Sequence, residues 1–132
     1  MQLSVPVTNA ILDAIEATVG PAPLMRFLSG PPEASPASPQ SGTLIAEMVL
    51  PSDWLAAAAS GQKSMLGQWA IKTSAAGTIG HFRILNAAGT VAHILGNVTT
   101  TGGGGDIEMD NPTVANNRWL IVDAFDLVGG NL

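Results

Sequence analysis

The spacing closest to a catalytic arrangement in the sequence is Ser60 to Lys63, which reads Ser-Gly-Gln-Lys. It matches the Ser-x-x-Lys pattern of penicillin-recognising enzymes, in which the lysine can activate the serine as a nucleophile. The partner motifs of those enzymes are absent, and a chain of 132 residues is far too short for them. We therefore interpret the match as chance and predict that the protein is not an enzyme.

Three carboxylates alternate along one short segment, at Asp106, Glu108 and Asp110. They would project from one face of a strand and could hold calcium, but the glycine and the distal glutamate of a calcium-binding loop are missing. The pattern favours a solvent-facing edge strand whose negative charges guard against pairing. The preceding glycines, 102 to 105, are not followed by Gly-Lys-Ser/Thr, so we predict a flexible turn rather than a phosphate-binding loop.

The two histidines, His81 and His93, are the remaining candidates for metal chemistry. Zinc takes three or four protein ligands, and the positive charge of Arg83 between the histidines opposes a metal. We predict instead a hydrogen-bonding cluster of His81, Arg83 and His93, with Asp123 or Glu47 as the counter-charge. No metal and no cofactor are expected.

These residues lie in a predicted β-hairpin from Gly80 to Gly96. Asn86 to Gly89 fits a type I turn that a left-handed glycine closes, because Asn favours the first turn position and Gly tolerates positive φ. A three-residue loop then predicts the pairs Leu85 with Val91, Ile84 with Ala92, Arg83 with His93, and Phe82 with Ile94. In that register one face is apolar and belongs to the core: Phe82, Ile84, Ala92 and Ile94.

Composition excludes several classes of partner. Five basic against ten acidic side chains give a net charge of −5, which argues against nucleic acid and anionic membranes. The longest apolar run, Trp54 to Ala59, is too short to span a bilayer, and the first twenty residues do not resemble a secretion signal. With no cysteine, the chain has neither disulfides nor thiolate metal sites.

The first third of the chain contains a helix and an unusual loop. Apolar residues at helical spacing predict one amphipathic helix from about residue 8 to 19, capped by Thr8 and preceded by an extended Met1 to Val7. Gly30 to Gly42 contains four prolines and three serines and predicts an extended loop without regular secondary structure. A surface connection between strands is one interpretation of this loop, and an arm lying along a neighbouring subunit is the other.

Short strands with Gly/Pro-rich turns dominate the rest: Leu24 to Ser29, Thr43 to Leu50, Gln68 to Thr73, the hairpin, Asp106 to Met109, and Trp119 to Leu127. In the last strand we expect Leu120 and Val122 on one face, Trp119 and Ile121 on the other, and a bulge or sheet edge at Asp123. The fold class is therefore mainly β: one domain over residues 1–132, an antiparallel β-sandwich, jelly-roll-like, with one short N-terminal helix.

A series of motifs resembles a family of small proteins encoded among the virion genes of tailed bacteriophages. The similarity spans nearly the whole chain: Leu24 to Gly30, Gly42 to Ala46, Leu50 to Trp54, Ala76 to Ile84, Gly96 to Val98, Gly105 to Asn111, and Phe125 to Leu127. The sequence from Trp119 to Val122 departs from the family by being more apolar, which makes the outer face of this strand a candidate contact surface.

The resemblance implies a non-enzymatic virion component made in the host cytoplasm, most specifically a capsid decoration (cement) protein. A neck, tail or fibre-associated protein and a carbohydrate-binding β-sandwich are the alternatives. The expected partners are the major capsid protein or another virion protein and further copies of the chain, with a trimer as the analogy with decoration proteins suggests.

Self-association also follows from composition, because charged residues make up only 11% of the chain where about 25% is usual. The predicted contact residues are those with least to do inside a monomer core: Val5, Pro31, Pro32, Pro36, Pro39, Trp119 and Ile121.

Overall fold

The computed structural model describes residues 1–129, which form one helix and ten strands. The helix α1 spans Val5–Val19. The strands are β1 Leu24–Ser29, β2 Leu44–Val49, β3 Gln62–Ser64, β4 Trp69–Lys72, β5 Gly77–Leu85, β6 Ala92–Thr100, β7 Ile107–Met109, β8 Thr113–Val114, β9 Trp119–Val122 and β10 Asp126–Val128. The prediction of a mainly β protein with one N-terminal helix is confirmed.

The largest sheet has the order β2-β1-β5-β6-β7, and β8 pairs with the start of β5. Its neighbours are antiparallel except for β6 and β7, which run parallel. The sheet is therefore mixed. The long predicted strand from Trp119 to Leu127 is instead two short strands, and each forms a separate two-stranded sheet, β9 with β4 and β10 with β3.

The helix begins earlier than the sequence suggested. Ser4 caps it, since its Oγ accepts from the N–H of Val7 at 3.4 Å, and Pro6 occupies the first turn, where its missing N–H costs nothing. The predicted cap Thr8 lies inside the helix and is buried. The prediction of an extended Met1 to Val7 was therefore wrong from Val5 onward.

The central hairpin forms, with a different register. The N–H of Gly89 donates to the carbonyl of Asn86 at 2.9 Å and Gly89 has φ 70°, which confirms the turn. The Asn86 Oδ1 also accepts from the N–H groups of Thr90 and Val91, so the loop extends to Val91. A bulge follows, and the observed pairs are Leu85 with Ala92, Ile84 with Ile94, Arg83 with Leu95, and Phe82 with Gly96.

The core lies on the inner face of this hairpin and reaches the small sheet of β4 and β9. Phe82 and Ile84 are buried as predicted, whereas Ala92 and Ile94 are half-buried. A chain of aromatic contacts crosses the core: Trp54 to Trp69 at 6.2 Å, Trp69 to Phe125 at 5.2 Å, and Phe125 to Phe82 at 6.0 Å between ring centroids. These rings tie the large sheet to the irregular segment after β2 and to β4.

Candidate interaction surfaces and a buried polar cluster

The Pro-rich loop has no regular secondary structure, as predicted, and packs on its own domain. The loop covers the face of β5 that points away from the core, so this face is buried as well. The guanidinium of Arg83 donates to the carbonyls of Pro36 at 2.8 Å and Ser38 at 2.7 Å. The loop returns to β2 at Gly42, whose φ is +81° and where a Cβ would collide with the Ser29 backbone oxygen.

A carboxylate from this loop is buried between the two basic side chains of β5. The Glu33 Oε2 lies 3.2 Å from the His81 Nε2 and 3.9 Å from the Arg83 Nε, and only 5% of the Glu33 side chain is exposed. The counter-charge of the predicted cluster is therefore Glu33. The prediction of Asp123 or Glu47 was wrong: Glu47 pairs with Arg26 at 2.6 Å, and Asp123 is exposed beyond the end of β9.

Both ring nitrogens of His81 face oxygen acceptors. Its Nδ1 lies 2.9 Å from the Gly30 carbonyl, which only accepts, and its Nε2 faces the Glu33 carboxylate. These two contacts fix the ring between the Gly30 carbonyl and the Glu33 side chain. Burial raises the pKa of Glu33, but the Ser41 N–H, the Glu33 backbone and the charges of His81 and Arg83 lower it, and the net pKa lies below the ordinary 4.5.

His93 does not belong to this cluster. The bulge places it beside α1, where it lines a groove with Ile94 and a row of helical residues: Ile11, Ala14, Ile15, Thr18 and Val19. The helix buries Thr8, Leu12 and Val19, so part of the predicted apolar face stays open, with Ile11 37% exposed. The predicted group of His81, Arg83 and His93 is thus reduced to the first two.

The outer face of β9 carries two exposed apolar side chains. Leu120 and Val122 point into the core, whereas Trp119 and Ile121 are 66% and 52% exposed, which confirms the predicted faces. The other tryptophans, Trp54 and Trp69, are buried. The Lys72 Nζ lies 5.6 Å from the centroid of the Trp119 ring, a cation–π distance that orients the ring without covering it.

The other predicted contact residues are also on the surface. Val5 is 53% exposed at the start of α1. The four prolines at positions 31, 32, 36 and 39 are exposed on the outer side of the Pro-rich loop. Their contact with another chain remains a prediction.

An ion-pair cluster that the sequence did not reveal joins α1 to β3. The Lys63 Nζ lies 2.7 Å from Asp13 and 2.6 Å from Glu16, although only 2% of the lysine side chain is exposed. Burial lowers the pKa of Lys63, but its hydrogen bonds to the two carboxylates raise it, and the net pKa lies above 10.5. Lys63 therefore has a structural role, as the ion-pair partner of Asp13 and Glu16, that does not involve Ser60.

The three alternating carboxylates lie at the sheet edge, as predicted, in and beside β7. Glu108 accepts from the N–H groups of Gly102 and Gly104 at 3.3 Å each, and Asp110 from the Thr101 hydroxyl at 2.7 Å. Over residues 1–129, no group of three or more His, Cys, Asp or Glu side chains is arranged to hold a metal ion.

Comparison of the chain with models of known protein families, with characterised proteins and with solved structures finds no match. Within the described residues, no helix is long and apolar enough to cross a membrane.

Proposed function

We propose that this protein is a non-enzymatic structural component of a tailed-bacteriophage virion, most specifically a capsid decoration protein that stabilises the head. The observation that carries the proposal is the outward face of β9, where Trp119 and Ile121 stand exposed on a strand. A large aromatic side chain next to an aliphatic one is typical of an interface centre. The resemblance of the sequence motifs to phage virion proteins is the reason for proposing a phage particle as the assembly to which the protein binds.

The proposed mechanism is mass action. A protein that binds assembled capsomers, and not their dissociated subunits, stabilises the shell by its free energy of binding. In this proposal the sheets face one another as a β-sandwich, which the aromatic contacts from Phe82 through Phe125 to Trp69 support. Three copies related by a closed cyclic axis would bury the β9 face without growing into fibres.

Analysis of purified virions with a count of copies per particle tests the location. Hundreds of copies per head support decoration, whereas a dozen or fewer would place the protein in the neck, tail or fibre. Absence from purified particles would refute the virion proposal.

A paired substitution tests the surface. Trp119→Ser with Ile121→Ser should weaken binding to purified heads roughly 100- to 10,000-fold, because each of the two apolar side chains loses about 1.5–3 kcal/mol of burial. The matched control is Val49→Ser, an exposed apolar side chain on β2 (69% exposed) whose loss should leave binding unchanged. Equal affinity of the double variant and the control would refute the assignment of this face.

One observation favours a second candidate function, carbohydrate binding. The ring of Trp119 lines a shallow depression of about 380 Å³ with Gln68, Ala70 and Ile121, and an exposed ring beside an amide can stack on a sugar. Titration of the Trp119 fluorescence with oligosaccharides, with Trp119→Phe as the control, tests this function. A saturable change at millimolar sugar would favour it over decoration.

A further inference from the structure

A cleft of about 350 Å³ separates two strands that belong to different sheets. One wall is β7 with the residues after it, 107–111, and the other is the end of β9 and the residues after it, 120–124. Phe27, from the middle of the large sheet, forms part of the floor. Apolar side chains of both walls also contribute to the floor, since Ile107, Leu120 and Val122 line the cleft and are largely buried.

Both strands present unpaired backbone groups to this cleft. Within a strand, the N–H and C=O of successive residues point to opposite edges. The carbonyl of Met109 accepts from Thr101 beside β6, so the backbone groups of Glu108 point to the other edge. The carbonyl of Arg118 accepts a hydrogen bond from the N–H of Thr73 beside β4. The backbone groups of Trp119 and Ile121 therefore point away from β4.

Among residues 1–129, β7 pairs only with β6, and β9 pairs only with β4. No other backbone group in this part of the chain donates to or accepts from Glu108 or Ile121. Free strand edges of this kind accept an additional strand from another chain, which gains main-chain hydrogen bonds while its alternate side chains enter pockets.

The charge on the rim selects among possible occupants. Three carboxylates line the cleft, from Glu108, Asp110 and Asp123, and no lysine, arginine or histidine lies among the lining residues. Asp123 is exposed on this rim. Such a rim attracts cationic side chains and repels acidic ones, including those of this chain with its net charge of −5.

We propose that this cleft is a docking site for an extended segment of a partner protein that adds a strand beside β7 or β9. The segment has apolar residues at alternate positions, which enter the apolar floor, and lysine or arginine at the positions between them, which meet the carboxylate rim. The cleft shares Ile121 with the outer face of β9, but the proposal rests on the free strand edges and the carboxylate rim, so it does not depend on the virion function.

The probe is an acetylated and amidated hexapeptide of alternating valine and lysine, titrated into ¹⁵N-labelled protein. Binding should shift the amide signals of residues 107–111 and 119–124. Two peptide controls accompany it: alternating valine and glutamate, and valine–lysine with N-methylated backbone amides. Both should bind at least roughly fivefold more weakly, the first through charge repulsion and the second through lost strand hydrogen bonds.

A variant pair tests the rim. Asp123→Lys should weaken the basic peptide roughly fivefold, whereas Asp126→Lys, the same change at an exposed position outside the cleft, should alter affinity little. The proposal is overturned by any of four results: no binding at millimolar peptide, equal binding of either control peptide, shifts confined to other residues, or equal effects of the two variants.

Discussion

Replacing Glu33 with glutamine should destabilise the protein far more than a surface carboxylate would. The side chains of Glu33 and Arg83 are each 5% exposed and that of His81 is fully buried, so the variant leaves the buried Arg83 cation without its counter-charge and His81 without a facing carboxylate. Removing one member of a buried ion pair costs about 3–5 kcal/mol. We expect the lower end, about 3 kcal/mol, because Arg83 keeps its two backbone acceptors.

Chemical denaturation and thermal unfolding measure this effect, and about 3 kcal/mol corresponds to a fall of about 10 °C in Tm. The matched control is Glu47→Gln, which breaks the ion pair with Arg26 at 2.6 Å between partly exposed side chains and should cost at most about 1 kcal/mol. If the two variants lose equal stability, the Glu33 carboxylate does not hold the loop, and the reasoning is refuted.

The same pair predicts how stability responds to acid. The pKa of Glu33 is lower in the folded protein than the ordinary 4.5, so its contribution is present above that value and is lost as pH falls through the folded pKa. The difference in unfolding free energy between wild type and Glu33→Gln should therefore shrink as pH falls below 4.5. A difference that stays constant down to pH 2 would contradict this assignment.

Two further predictions concern other parts of the fold. Lys63→Met should change stability by less than about 1 kcal/mol, since Asp13 and Glu16 remain in contact with water. The double variant Asp13→Asn with Glu16→Gln should lower Tm more, because it leaves the buried Lys63 cation without a counter-charge. The pKa of Lys63 lies above 10.5, so wild type should lose stability as pH rises beyond that value and Lys63→Met should not; equal alkaline transitions would contradict this. Gly89→Val should cost about 1–3 kcal/mol at φ 70°, and Gly89→Asn distinctly less, as measured by urea unfolding; equal losses would refute a left-handed requirement.

Local signals in the sequence predicted local structure well. The strand Leu24–Ser29, the turn at Gly89 and the two faces of β9 follow from side-chain alternation and turn chemistry, and the structure confirms all three. The hairpin register failed because one side chain, Asn86, caps two N–H groups beyond the turn and lengthens the loop. Alternation alone does not encode such a capping bond.

The polar cluster could be predicted only in part. Two charged or polar residues on one face of a strand, His81 and Arg83, indicated a cluster, but their counter-charge comes from a loop residue about fifty positions away. A proline-rich segment is predicted to be exposed to solvent, because its prolines and serines bury little. A single glutamate within it belongs to no repeating pattern that would predict its burial. The ion pairs of Lys63 could not be predicted for the same reason, since its partners lie on a helix distant in sequence.

The pairing of β4 with β9 has a consequence for the order in which the molecule folds. The hairpin of β5 and β6 joins neighbouring segments, whereas β4 and β9 come from distant parts of the chain, and closing so long a loop costs more entropy. We expect the β4–β9 sheet to form late, after the hairpin provides a surface for Trp69 and Phe125. The exposed pair Trp119 and Ile121 would then be presented on a strand only by molecules that have finished folding. In the proposed virion role, incomplete chains would therefore be excluded from assembly.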